Sequence, residues 1–270
     1  MDTKNKPVGI FDSGLGGLTT VKTVLSELPN EDIIYFGDTA RVPYGDRSKE
    51  TIIEYAKDDI EFLLSFDVKA VVIACNTADS MARTEMERIF RVPIIGVVQP
   101  SSQRAATLTK NNKIGVIGTN ATVSSGAFEK NIKSFNRNAE VFSCACPLLV
   151  PLVEEGRTGI DDKVTRRVLR EYLEPLKEKG IDTLVLGCTH YPLLTALISD
   201  IMPGVTLINS GEAAVSRLTG VLKDGDMLND GSEKGTVRYF VSDNVESFVR
   251  HGSIFMGHEL GGKAELAEIN

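Results

Sequence analysis

Short runs of β-branched and other apolar residues alternate along this chain with longer stretches in which apolar residues recur every three or four positions. The short runs are typical of buried strands, and the longer stretches are typical of amphipathic helices. This alternation predicts βα units around mostly parallel sheets, which is an α/β fold. The expected strands cover residues 8–12, 32–36, 70–74, 93–97, 113–118, 140–143, 182–187, 205–208 and 237–241.

Two of the helical stretches have recognisable ends. Residues 48–66 carry an apolar stripe with helical spacing, and Ser48 is a favourable N-cap for it. Residues 161–179 show the same spacing despite Pro175, and Gly180 is expected to end that helix.

The chain also contains a weak internal repeat. Residues 70–77 (AVVIACNT) and residues 183–190 (TLVLGCTH) both consist of an apolar run, a small residue, a cysteine and polar residues. A second pair, residues 8–14 and 114–119, is offset by about the same distance along the chain. The repeat predicts two pseudo-symmetric α/β lobes with mostly parallel sheets, facing each other across a cleft.

The position of the repeats suggests how the lobes divide the chain. We expect residues 1–98 together with 210–270 to form the first lobe, and residues 99–209 to form the second. No low-complexity linker separates them, so short crossings are expected near residues 99–100 and near residues 209–211.

Composition narrows the classes of function. The 270 residues include 30 lysines and arginines against 37 aspartates and glutamates, a net charge of -7. This balance does not produce the basic surface that holds nucleic acid or anionic lipid, so neither nucleic acid nor a membrane is an expected partner. No signal peptide or membrane-spanning run is present, which predicts a cytoplasmic protein. The tail beyond Gly257, with Gly261 and Gly262 and little periodicity, is expected to be weakly ordered.

Cys75 and Cys188 directly follow expected strands at matching positions of the repeat. Open α/β sheets place ligands at the carboxyl ends of their strands, so both thiols should point toward the cleft. A single cysteine is most often a small packing residue, but two at matching positions favour a chemical role. Since Asn76, Thr77 and Ala78 are good helix-starting residues, Cys75 should lie at a helix N-terminus, which predicts a lowered pKa.

Three kinds of chemistry could use two thiols across a cleft. Metal binding needs three or four ligands, and the sequence has no cysteine and histidine cluster with zinc spacing, so no metal site is expected. Thiol oxidoreductases usually hold their two cysteines close together in sequence. Proton transfer by two bases fits better, because inversion of a stereocentre needs similar groups on opposite faces. A thiol pKa near 8.5 needs only a modest shift for such work.

Other candidate residues surround these cysteines. The segment DSGLGG beginning at Asp12 is not a dinucleotide loop, because Thr19 stands where the third glycine is required. Asp12 is either a turn carboxylate or a site residue, and Ser13 could bind a carboxylate. His190, two residues after Cys188, could stabilise a thiolate or carry a proton.

Five further positions have ordinary interpretations. Cys144 and Cys146 are interpreted as packing residues in an apolar context. Tyr44 and Gly45 form an ordinary turn that offers a phenol and a backbone N–H, and Glu154 belongs to a solvated acidic turn.

Five motifs nevertheless stand together along the chain: GIFDSGLGG at 9–17, GDTARVPYG at 37–45, ACNTA at 74–78, CPLLVPLVE at 146–154 and GCTHYP at 187–192. With them the chain resembles the glutamate racemases of the aspartate/glutamate racemase family. The resemblance covers nearly the whole chain. It implies two α/β lobes with the active site between them.

The resemblance also assigns roles to residues. It implies that Cys75 deprotonates D-glutamate, that Cys188 deprotonates L-glutamate, and that Asp12, Glu154 and His190 assist proton transfer. It implies substrate contacts from Asp12, Ser13, Tyr44, Gly45, Asn76, Thr77, Thr189 and His190. It implies no cofactor, glutamate as the small-molecule substrate, a supply of D-glutamate for peptidoglycan biosynthesis, and a homodimer.

Three alternatives stay open from the sequence. The same reaction on aspartate or a related amino acid needs only a pocket of different size and donors. A module that binds an amino acid or a protein without catalysis could keep the lobed fold. A thiol redox protein would form a disulfide between Cys75 and Cys188.

Overall fold

The computed structural model describes residues 3–260 and 264–269. Its strands, numbered in chain order, are β1 (Val8–Asp12), β2 (Ile33–Gly37), β3 (Ala70–Ile73), β4 (Ile94–Gly96), β5 (Lys113–Gly118), β6 (Glu140–Ala145), β7 (Thr183–Gly187), β8 (Thr206–Asn209), β9 (Val237–Val241) and β10 (Ala264–Leu266). Its α-helices are α1 (Leu18–Glu27), α2 (Lys49–Leu64), α3 (Asn76–Ile89), α4 (Val98–Leu108), α5 (Asn120–Ser124), α6 (Ala127–Phe135), α7 (Leu149–Glu154), α8 (Lys163–Glu178), α9 (Thr195–Ile201), α10 (Ser210–Asp224) and α11 (Val245–Met256).

Within the described residues the strands form two separate sheets. One has the order β10-β9-β2-β1-β3-β4, and the other has the order β6-β5-β7-β8. Every neighbouring pair is parallel. The predicted α/β fold with two parallel-sheet lobes is therefore confirmed. The lobe limits at residues 98/99 and 209/210 stay a prediction.

The local signals at the helix ends are confirmed. Ser48 caps α2 by accepting a hydrogen bond from Thr51 N at 3.2 Å. Helix α8 begins slightly later than expected, with Asp162 as its cap and Thr165 N as the donor at 2.8 Å. Gly180, with φ of 70°, follows this helix in the left-handed conformation that glycine adopts without strain.

The chain crosses between the sheets through helices, one beginning near residues 99–100 and the other near residues 209–211. Residues 99–100 lie in the first turn of α4, where proline is tolerated because first-turn N–H groups have no partner within the helix. At the second crossing Asn209 ends β8 and caps α10, accepting from Gly211 N and Glu212 N. Both helices contribute to one apolar core that includes buried residues of both sheets.

The C-terminal tail departs from the expectation of a weakly ordered end. Strand β10 pairs in parallel with β9 at the edge of the six-stranded sheet, and Ala267 after it is buried. A strand of three residues is too short to show periodicity in sequence, yet it satisfies the unpaired edge of β9. Gly261 and Gly262 lie outside the described residues. No helix in the described ranges has the length and apolar character that crossing a membrane requires.

Candidate active site

A cavity of about 410 Å³ lies between the two lobes. Its wall includes residues that directly follow β1, β3, β5 and β7, so it stands at the carboxyl ends of strands from both sheets. Ten of the sequence-predicted site residues line it, and nine of them are Ser13, Tyr44, Gly45, Cys75, Asn76, Thr77, Glu154, Cys188 and Thr189. His190 lines it as well.

Cys75 occupies the N-cap position of α3, as predicted. Its Sγ lies 3.7 Å from Ser13 Oγ, within hydrogen-bond distance. Burial raises the pKa of Cys75 to about 12, the charge of Asp12 adds to this, and the N–H of Ala78 opposes it. The expected lowering of this pKa is therefore wrong, because removing the thiolate from water raises the pKa more than the start of a helix lowers it.

Cys188 has a different local support. It follows β7 as predicted, but an α-helix does not begin at the next residue. Thr189 and His190 form a turn, and a 3-10 helix, Tyr191–Leu194, comes after it with Pro192 in its first turn. The two cysteines match in position after a strand, but only Cys75 stands at the start of an α-helix.

His190 supplies charge beside Cys188. Its Nδ1 lies 3.8 Å from Cys188 Sγ, and its Nε2 lies 3.0 Å from Glu154 Oε1 at the end of α7. Burial alone would lower the pKa of His190, but hydrogen bonds and charges from Cys188 and Glu154 raise it to about 10. The imidazolium is therefore the dominant form near neutral pH and can donate to the sulfur.

Asp12 lies beneath the cavity and does not line it. It is fully buried, and its carboxylate accepts from Gly14 N at 3.0 Å and from Thr189 Oγ1 at 3.4 Å. Burial raises its pKa, although the charge of His190 and these donors work in the opposite direction. Asp12 thus joins the loop after β1 to the turn after β7, under both cysteines.

Tyr44 turns its phenol away from the cavity. Its hydroxyl lies 2.5 Å from Asp38 and 3.0 Å from Asp59, and Arg41 bonds to both of these carboxylates. What Tyr44 offers a ligand is its backbone, together with that of Gly45. The expected phenol donor is instead part of a buried network that supports the loop.

Asn76 and Thr77 begin α3 at the wall of the cavity. Thr77 Oγ1 lies 3.0 Å from Thr119 Oγ1 and 3.2 Å from Thr122 Oγ1, which connects the two lobes. Asn76 donates to Ser210 Oγ at 3.2 Å, while its buried Oδ1 has no hydrogen-bond partner in the described part of the chain. Thr77 ties α3 to the second lobe, Asn76 ties it to the start of α10, and both residues line the site.

The lining is uncharged apart from a few groups. In the described residues neither lysine nor arginine lines the cavity, and its donors are hydroxyls, the side-chain amides of Asn76 and Asn120, backbone N–H groups and His190. Within the same residues no group of three or more histidine, cysteine, aspartate or glutamate side chains is placed to hold a metal ion. The arrangement can bind a small anion through neutral donors and present a thiol from each side.

Comparison with known proteins agrees with this geometry. The sequence model of the Asp/Glu/hydantoin racemase family matches residues 19–218. A glutamate racemase of Geobacter metallireducens is 47% identical over 257 residues, which are 95% of this chain and 94% of that protein. The chain belongs to the glutamate racemase family.

Solved structures of this family have the same fold. A glutamate racemase isoform of Bacillus anthracis superposes with a TM-score of 0.94 at 36% identity, covering 98% of both chains. A glutamate racemase of Francisella tularensis, solved in complex with D-glutamate, superposes with a TM-score of 0.91 at 38% identity over 99% of both chains.

Among the residues of the cavity wall that the sequence interpretation missed are Thr119 and Asn120. Both follow β5. The internal repeat held the signal, because Thr119 stands in residues 114–119 where Ser13 stands in residues 8–14.

Proposed function

We propose that this protein interconverts L-glutamate and D-glutamate without a cofactor and supplies D-glutamate for peptidoglycan biosynthesis. One observation carries the proposal: a cysteine from each lobe lines the same cavity. The thiols are alike and come from opposite sides, which is what inversion of an α-carbon by two bases requires.

Each turnover moves one proton off the α-carbon and another onto it. For D-glutamate, the Cys75 thiolate removes the α-proton from one face, and the Cys188 thiol delivers its proton to the opposite face. The products are L-glutamate, a Cys75 thiol and a Cys188 thiolate. The reverse reaction starts from this state, so no proton is gained or lost overall.

Hydrogen bonds must make the α-proton acidic enough to be removed. We assign the binding of the substrate carboxylates to the neutral donors of the lining, namely Ser13, Gly45, Thr77, Thr189 and the backbone of Tyr44. Asn76 Oδ1, an acceptor without a partner in the described residues, suits the α-ammonium group. We assign to His190, which contacts Glu154, the stabilisation of negative charge on Cys188. The buried Asp12 assists proton transfer.

Substrate binding should also prepare Cys75. Its pKa of about 12 reflects burial and the negative charge of Asp12. The α-ammonium of glutamate brings a positive charge into the same space, which favours the thiolate over the thiol. Ionisation of Cys75 is therefore coupled to binding, and a thiolate is not held in an open site.

Serine substitutions test the division between the two faces. Cys75→Ser and Cys188→Ser should each slow racemisation by about 100-fold or more, because serine is too weak a base. Each variant keeps one thiol, so it can still exchange the α-proton of one enantiomer with D2O: L-glutamate for Cys75→Ser and D-glutamate for Cys188→Ser. Proton NMR follows the exchange, and circular dichroism follows inversion.

Cys144→Ser, which removes a thiol outside the cavity, is the matched control and should racemise at the wild-type rate. Exchange of the same enantiomer by both site variants would refute the assignment of one thiol to each face. Parallel assays with aspartate separate the alternative substrate. Full activity after dialysis and treatment with a chelator is expected, and rescue by pyridoxal phosphate or zinc would contradict the mechanism.

We further propose that the enzyme acts in the cytoplasm as a homodimer, as the resemblance to its family suggests. Light scattering on the purified protein at several concentrations tests the oligomeric state. A monomer at all concentrations would contradict that part of the proposal without affecting the chemistry.

A further inference from the structure

Cys144 and Cys146 form a pair of neighbouring thiols next to the active site. Cys144 belongs to β6, and Cys146 follows two positions later, so that their side chains project to the same side. The two sulfur atoms lie 3.9 Å apart. Cys146 is fully buried, whereas Cys144 is only partly buried and can be reached from solvent. The racemisation mechanism uses neither of them.

The contact between the thiols makes one of them reactive. Cys146 donates a hydrogen bond to the sulfur of Cys144, and this bond lowers the pKa of Cys144 to about 7 while it raises that of Cys146. A thiolate that is accessible to solvent and has a second thiol beside it has the properties of a cysteine that reacts with oxidants and is then resolved.

A movement of Cys146 would displace catalytic residues through its hydrogen bonds. Its carbonyl oxygen accepts hydrogen bonds from Tyr191 Oη at 2.9 Å and from Leu149 N at 3.1 Å. Tyr191 N in turn donates to the carbonyl oxygen of Cys188 at 3.2 Å. Leu149 begins α7, the helix that ends at Glu154. One carbonyl group therefore holds both the turn with Cys188 and the helix with Glu154.

We propose that Cys144 and Cys146 are a modification site that hydroperoxides oxidise to a reversible disulfide, and that this disulfide slows racemisation. The sulfurs must approach by roughly 1.9 Å to reach the bond length of a disulfide. The approach shifts Cys146, the one residue of the pair that is bonded to both parts of the catalytic machinery. Formation of the disulfide is independent of the proposed function, and only its effect on the rate rests on that function.

The reaction balances with one molecule of hydrogen peroxide. The Cys144 thiolate attacks one peroxide oxygen, the O–O bond breaks, and the other oxygen leaves as hydroxide, giving a sulfenic acid. The hydroxide takes up the proton that the Cys144 thiol released on ionising and becomes water. The Cys146 sulfur attacks the sulfenic sulfur, an S–S bond forms, and the second oxygen leaves as water with the thiol proton. Two electrons pass from the two thiols to the peroxide, and a dithiol reductant reverses the change.

Tryptic mapping of the wild-type protein tests the site directly. Peptide 138–157 contains Cys144 and Cys146, whereas Cys75 and Cys188 fall in peptides 70–83 and 180–217. After equimolar hydrogen peroxide near pH 7 and alkylation, peptide 138–157 should be lighter by two hydrogen atoms and unalkylated. Dithiothreitol should restore both thiols.

Three results would overturn the proposal in this experiment. One is prior oxidation of peptide 70–83 or 180–217, and another is a disulfide that links peptide 138–157 to either of them. The third is an irreversible sulfinic acid at Cys144 with Cys146 still free. The measurement uses only the wild-type protein. It therefore tests formation of the disulfide even if a substitution at either cysteine impairs folding.

Activity measured on the same samples tests the effect on catalysis. Displacement of a catalytic group by about 1 Å can cost up to about 100-fold in rate, and we expect kcat to fall roughly tenfold and to recover with dithiothreitol. Cys144→Ser should keep its basal kcat and resist the peroxide. Ser143→Ala, on the other side of the same strand, is the matched control and should respond like the wild type.

A disulfide in peptide 138–157 with unchanged kcat would refute the effect on catalysis. The effect on catalysis would also be refuted if peroxide slowed the Cys144→Ser variant as much as the wild type while peptides 70–83 and 180–217 stayed unmodified. Loss of racemase activity in every untreated sample would instead contradict the proposed function, and the mapping result would still stand.

Discussion

At the scale of single residues, the two catalytic thiols are chemically alike but electrostatically different. A negative charge on Cys188 faces the imidazolium of His190 at 3.8 Å. A negative charge on Cys75 faces the buried carboxyl of Asp12, which raises the pKa of that thiol. The site is therefore electrostatically asymmetric although its sequence motifs repeat.

The substitution Glu154→Gln tests how the charge of Glu154 affects the pKa of His190. The hydrogen bond and charge of Glu154 raise the pKa of His190, so removing the charge should move that pKa downward from about 10. Where the imidazolium is required, activity is lost as pH rises through this pKa. The alkaline limb of kcat/KM should therefore shift to lower pH in both reaction directions.

NMR titration of His190 provides an independent measurement of the same shift. Glu155→Gln removes the adjacent exposed carboxylate and should leave the profile unchanged. A Glu154→Gln variant with the wild-type alkaline limb would show that Glu154 does not control His190.

At the scale of elements, the loop after β2 is held against α2 by a buried charge network. Arg41 lies 2.5 Å from Asp38 and 2.8 Å from Asp59, two fully buried carboxylates, and 2.7 Å from Asp58. Burial and the neighbouring Asp38 raise the pKa of Asp59 well above its usual value. The network fixes the backbone that brings Gly45 to the cavity.

Arg41→Ala should leave buried carboxylates without a cation. We expect the free energy of unfolding to fall by about 3–5 kcal/mol, the usual cost of breaking a buried ion pair from one side. The KM for glutamate should rise because the Gly45 backbone is less well positioned. Urea unfolding and steady-state kinetics measure the two effects.

Arg88→Ala is the control for the loss of stability that we expect in Arg41→Ala. Arg88 is largely exposed and pairs with Glu85 on one helix face, so its removal should change stability by no more than about 0.5 kcal/mol. Similar losses for both arginines would contradict the argument from burial.

At the scale of the whole molecule, the lobes meet closely through the glycine-rich loop after β1. A Cβ atom on Gly16 would lie 2.6 Å from His190 Nδ1 and even closer to Thr189 Oγ1. Thr19 Oγ1 also donates to the Thr189 carbonyl oxygen at 3.1 Å. Gly16 therefore serves the close approach of the second lobe.

Gly16→Ala should therefore separate the two lobes locally. The added methyl group displaces Thr189 and His190, which should reduce kcat and lower the free energy of unfolding by about 1–3 kcal/mol. Thermal unfolding and steady-state assays measure these effects.

Gly220→Ala in α10 is the matched control, since a Cβ there meets nothing within 4 Å in the described structure. It should be neutral or stabilising by up to about 1 kcal/mol. Wild-type activity in Gly16→Ala would mean that the second lobe can move away without cost.

Much of the fold was predictable because its signals are local. β1, β5 and β9 have the predicted bounds, and Ser48 and Gly180 mark helix ends as expected. Caps, turns and apolar periodicity depend on residues a few positions apart, which the sequence displays directly. The same applies to the placement of Cys75 and Cys188 after strands, and the repeat indicated that they belong to two lobes.

The sequence by itself thus determined the strands, the two lobes and the pair of cysteines at the cleft. Tertiary structure decided the raised pKa of Cys75, the direction of the Tyr44 phenol and the strand formed by Ala264–Leu266. It also placed the Cys146 carbonyl between the two halves of the catalytic machinery. These properties depend on desolvation and on partners distant in sequence, and neither can be derived from the neighbours of a residue along the chain.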